Sequence, residues 1–104
     1  MYLPNIYKQF SEKYPDVFKE YKQLGVSCRN AGTLDAKTQD LVKLGIAMGC
    51  NSRGGVMSHT RKAIAAGATP EEVFHAVLLS LTTIGFPAMM AAMAWVNEVF
   101  AEKP

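Results

Sequence analysis

Charge is scarce in this chain. Of its 104 residues, 19% are Asp, Glu, Lys or Arg and 49% are hydrophobic, where a globular domain usually carries about 25% charged residues. The charges are interspersed and the net charge is only +2. No basic stripe or aromatic-basic interleaving stands out, so nucleic acid is not an expected partner. Cysteine is limited to two residues, Cys28 and Cys50. The N-terminus lacks the charged and apolar regions of a secretory leader, so a cytoplasmic location with reduced thiols is expected. Sustained period-two alternation and Asn-Gly or Asp-Gly hairpin turns are missing, which excludes a strand-based fold. There is no glycine-rich phosphate loop. Cys50 and His59 do not form a recognised ligand pair and no second pair exists to close a tetrahedral site, so neither metal nor cofactor is expected.

From Ala76 to Trp95 there is also no charged residue, a length that raises the question of a membrane span. Ser80, Thr82, Thr83 and the Gly85-Phe86-Pro87 break interrupt it, and no basic cluster flanks it. It reads instead as two helices joined at a bend and buried by subunit packing. A single domain of 1–104 with this much apolar surface points to a homo-oligomer.

What is present is helical punctuation. Asn5 to Lys13 reads as a short amphipathic helix, and Pro15 sits in the first turn of the next, which ends at Ala31-Gly32. In that second helix Val17, Tyr21, Leu24 and Cys28 form one apolar stripe, which places Cys28 in the core. Thr33 or Asp35 caps a third helix running to about Gly49, with Leu41, Leu44 and Met48 on its main apolar stripe and Asp40, Lys43, Ala47 and Cys50 on a neighbouring one. A fourth begins near Arg53 and stops at Gly67. Thr69-Pro70-Glu71-Glu72 is a capping box with proline at the first helical position. The helix it opens is expected to run to about Ile84, and a sixth to run from Pro87 to near Ala101. The fold class is therefore all-α.

The chemistry concentrates between Gly49 and His59. Val56, His59 and Ala63 share a face, so the imidazole points inward. It is either a core histidine bonded to a carbonyl or a general acid/base. His75, amid Val73, Phe74, Val77 and Leu78, is expected to be structural. Cys50 sits at the carbonyl end of a helix, where the dipole opposes the charge of a thiolate. Asp40 is either an exposed helix carboxylate or a group that orients a base. Arg53 holds a carboxylate in bidentate fashion, aided by the Ser52 hydroxyl and free helix N–H groups, or else is a surface arginine.

Three segments carry a family resemblance. They are Leu34 to Ala47, then His59-Thr60-Arg61-Lys62-Ala63 with Ala66-Gly67-Ala68-Thr69-Pro70-Glu71-Glu72-Val73, and Gly85-Phe86-Pro87-Ala88. Over roughly residues 30 to 100 the chain resembles the carboxymuconolactone decarboxylase family, which includes the alkylhydroperoxidase-D-like proteins. The resemblance implies a bundle of about six helices assembled as a dimer, trimer or hexamer. It also implies one of two chemistries.

The peroxidase-like branch uses a Cys-x-x-Cys pair, a histidine four residues later and a glutamate on the preceding helix. Carried over without gaps, these positions fall on Ser52, Gly55, His59 and Asp40. Both motif cysteines are absent, and Cys50 lies two residues early, so the usual thiol relay has no second sulfur. The decarboxylase-like branch keeps the histidine without needing the cysteines, and acts on a carboxylated unsaturated lactone.

The leading expectation is acid/base chemistry on a small carboxylated substrate. It assigns His59, Cys50 and Asp40 to catalysis, and Arg53 and Ser52 to substrate binding. A peroxidase using Cys50 is the alternative, and a non-catalytic binding or assembly module the third.

Overall fold

The ends of the helices are written in side chains that bond backbone donors. In the computed structural model, which describes residues 5–102, the Asp35 carboxylate accepts from the Thr38 N–H at 2.8 Å and opens one helix. Ser52 Oγ accepts from Gly55 N–H at 3.0 Å and opens another. Thr69 and Glu72 close the capping box reciprocally. Each cap supplies an acceptor to donors that have no partner inside the helix.

Among the described residues the elements, all helical, are α1 (Asn5–Lys13), α2 (Pro15–Asn30), α3 (Ala36–Gly49), α4 (Arg53–Ala65), α5 (Pro70–Leu79), α6 (Leu81–Ile84) and α7 (Phe86–Phe100). The expected fifth helix is thus two pieces. Ser80 turns its hydroxyl onto the Val77 carbonyl at 2.6 Å and ends α5, and the four residues of α6 restart from it. Apolar periodicity carries no sign of that break, because the hydrophobic residues continue through it.

The chain falls into two compact units, one up to Thr33 and the other from Leu34 onward. In the first, α1 packs on α2 through an aromatic cluster, with Phe18 edge-on to Tyr7 and Phe10 at centroid distances of 5.5 and 5.9 Å. Neither helix contributes a buried residue. Val17, Tyr21 and Leu24 are all exposed, and so is Cys28, which corrects its expected place in a core. The apolar stripe on α2 exists, and its residues are exposed.

The second unit holds the core. Leu44, Val56, Val73, Val77 and Val96 are fully buried, joined by Ala47, Met48, Ala63, Met89 and Ala92 from α3, α4 and α7. α3 and α4 form its most extensive pairing. The connection is only Cys50, Asn51 and Ser52. Asn51 adopts a left-handed φ of 53°, the Ser52 N–H reaches the Ala47 carbonyl, and the Asn51 N–H reaches that of Met48. This is a Schellman ending with asparagine in the position glycine usually takes. The same ending recurs after α4, with Gly67 at φ 102°. The apolar 76–95 window is divided at Ser80 and Gly85 among α5, α6 and α7. No helix of the described residues is long and apolar enough to cross a membrane.

Candidate functional site

The short turn at Cys50–Ser52 folds α4 back along α3, which sets His59 against Asp40. His59 Nδ1 lies 3.7 Å from Asp40 Oδ1, near enough for an ion pair and too far for a hydrogen bond. Nδ1 is fully buried with no hydrogen-bond partner. The side chain as a whole is 19% exposed, so the ring reaches solvent through its other atoms. Asp40 is 3% exposed, which removes the reading of a solvated helix carboxylate.

Burial holds the His59 pKa below its ordinary value of 6.5. The positive charges of Lys62 and Lys43 push the same way, and Asp40 opposes them. At neutral pH the ring is therefore mainly the free base. A base with a buried, unsatisfied nitrogen beside a buried carboxylate is poised to take a proton, since the resulting imidazolium would gain an acidic neighbour. The carbonyl-bonded core histidine is not what the structure contains.

Ser52 and Arg53 sit where expected, at the start of α4, with their polar groups already engaged. The Ser52 hydroxyl caps the helix, and Arg53 donates to Glu98 on α7 at 2.7 Å. Arg61 makes a forked pair with Glu102, again tying α4 to the end of α7. Cys50 caps α3 through its backbone and is exposed. Gly55 has no room for a side chain. A Cβ there would lie 2.8 Å from Ser52 Oγ and 3.0 Å from Ala47 Cβ. Ser52 and Gly55, where the resemblance would place a cysteine pair, form a helix cap and a close approach of α4 to α3.

His75, expected to be structural, is exposed. It lines a groove of about 510 Å³ between α3 and the α5–α6 segment, together with Leu41, Val42, Met48, Leu79 and Thr83. Neither His59 nor Asp40 lines this groove. Sequence reading missed it; the signal that could have found it is the pair of apolar faces Leu41-Val42-Gly45 and Ala76-Leu79.

A model of the carboxymuconolactone decarboxylase family matches residues 14–98. The chain belongs to that family. An uncharacterized protein of Methanocaldococcus jannaschii is 32% identical over 87 residues, covering 83% of this chain and 84% of that protein. No solved structure matches the chain. The family match spans α2 through most of α7, with the His59–Asp40 pair inside it.

Proposed function

We propose that this family member carries out acid/base chemistry on a small carboxylated unsaturated substrate, with decarboxylation and a double-bond shift as the reaction and His59 as the proton carrier. The observation that carries this reading is the pairing of a buried, unsatisfied His59 Nδ1 with the buried Asp40 carboxylate. In such a reaction the electrons of the bond to the departing carbon dioxide form a new double bond, and the existing double bond shifts its electrons onto a neighbouring carbon. That carbon then takes one proton.

His59, mainly neutral at rest, takes its proton from solvent as the anionic substrate arrives. A negative charge beside the ring raises its proton affinity. Asp40 stabilises the imidazolium through its charge, and the ring then delivers the proton to carbon.

His59→Gln is expected to lower kcat on such substrates by about 100-fold or more, with Cys50→Ser close to wild type, in steady-state assays across a panel of unsaturated lactone carboxylates. Loss of turnover in Cys50→Ser, with peroxide consuming its thiol, would instead support a peroxidase. The exposure of Cys50 favours that second reading. The filled positions at Ser52 and Gly55 weigh against it, because they leave no resolving sulfur beside His59.

A further inference from the structure

We infer that the groove between α3 and the α5–α6 segment seats helix α2 of a second copy of this chain. The groove is separate from the acid/base pair, since neither His59 nor Asp40 lines it. Its volume is about 510 Å³ and its apolar lining includes Leu41, Val42 and Leu79, of which Val42 and Leu79 are exposed. Along α3 it extends from Thr38 to Met48, about 15 Å at the helical rise. On α2, Val17, Tyr21, Leu24 and Cys28 form one exposed stripe, about 16 Å long by the same rise. A helix with apolar anchors at this spacing, laid into an apolar groove, is a recurring mode of recognition. Here the two faces match in length as well as in character.

They also match in charge. The α2 stripe is uncharged, and Glu72, the carboxylate in the groove lining, is already paired with Lys37 at 2.9 Å. Seating the stripe therefore buries no bare charge, whereas a strongly charged partner would find nothing to pair with. Gly45 adds a further sign. It lies inside α3 on the groove wall, where glycine costs stability relative to alanine. A Cβ there would meet nothing within 4 Å, so packing inside the chain does not call for glycine. Its bare backbone leaves room for a helix approaching from outside. Each copy carries both the stripe and the groove, so two copies that exchange α2 satisfy both patches on each.

The test uses the full chain, with sedimentation velocity for mass and the ring C–H NMR signals of His75, which lines the groove. Wild type is expected to sediment as a species heavier than 11.4 kDa, and its His75 signals to shift as dilution separates the copies. Leu24→Asp on the stripe and Leu79→Asp in the groove should each weaken association at least about tenfold. Gly45→Met fills the groove with a good helix former and should do the same. Leu24, Leu79 and Gly45 are all exposed, and circular dichroism checks that each variant keeps its helices. Mixing Leu24→Asp with Leu79→Asp pairs an intact groove with an intact stripe, so the mixture should associate more strongly than either alone.

A wild-type monomer overturns the proposal. So does wild-type association in both Leu79→Asp and Gly45→Met, which would mean that the stripe pairs elsewhere. His75 signals indifferent to dilution across the dissociation, or a mixture no heavier than its components, would overturn it as well.

Discussion

His59 combines two features that rarely persist in a core: a buried nitrogen with no hydrogen bond, and a buried carboxylate 3.7 Å away that stops short of satisfying it. An unsatisfied buried donor or acceptor costs stability. That cost has a pH signature. Burial and the charges of Lys62 and Lys43 keep the folded-state pKa of His59 below 6.5, so below that pH the unfolded chain binds a proton more readily than the native one. The contribution of His59 is fully present above about pH 6.5 and is lost as pH falls toward the lower native value. Urea midpoints measured between pH 7.5 and 5.5 should therefore fall more steeply in wild type than in His59→Gln. Equal slopes would mean that the ring is not desolvated.

At this scale the sequence was partly legible. Spacing with Val56 and Ala63 turns His59 inward, as found. It left open whether Asp40 is exposed, because only the packing of α4 against α3 decides that. The apolar stripe of α2 suggested a core place for Cys28, and it is exposed. A hydrophobic stretch names a face without naming what covers it.

Among elements, α4 depends on the contact between its own cap and the helix before it. Ser52→Ala removes the acceptor for the Gly55 N–H and should cost about 1 kcal/mol. Alanine in place of a helical glycine ordinarily stabilises by up to about 1 kcal/mol, and Gly54→Ala, with nothing within 4 Å of its Cβ, should follow that rule. Gly55→Ala should go the other way, because its Cβ would meet Ser52 Oγ at 2.8 Å and Ala47 Cβ at 3.0 Å. Thermal melts of the two alanine variants check the prediction, and a higher Tm for Gly55→Ala would contradict it. Helix starts were the most legible feature of the chain: Thr69 was read as a cap, and of Thr33 and Asp35 it is Asp35 that accepts from the Thr38 N–H, while Ser52, read only as a substrate donor, caps α4. The break at Ser80 was not legible, because a hydroxyl bonded to a carbonyl three residues back leaves no mark on apolar spacing.

For the molecule as a whole, scarce charge is accounted for in two ways. Val77, Met89, Ala92 and Val96 from the apolar C-terminal half lie in the core. Leu24, Tyr21 and Val17 on α2 stay exposed, Leu24 at 61%. A helix with an uncovered apolar stripe gains little from folding alone, so self-association through such surfaces is the expected outcome. Sedimentation velocity should give a species heavier than the 11.4 kDa chain, and Leu24→Asp should shift it toward the monomer. A wild-type monomer at micromolar concentration would contradict this. The all-α class followed from punctuation and missing alternation, both of which are properties of the chain itself. Assembly depends on surfaces meeting between copies, which one sequence does not record.

In the proposed reaction His59 carries the proton and sulfur does not take part. This is tested most directly by running the decarboxylation in deuterium oxide and weighing the product. Wild type and Cys50→Ser should both release carbon dioxide at similar rates and place one solvent deuterium on carbon, whereas His59→Gln should yield no product above background. Undiminished deuterated product from His59→Gln, or its loss in Cys50→Ser, would contradict the account.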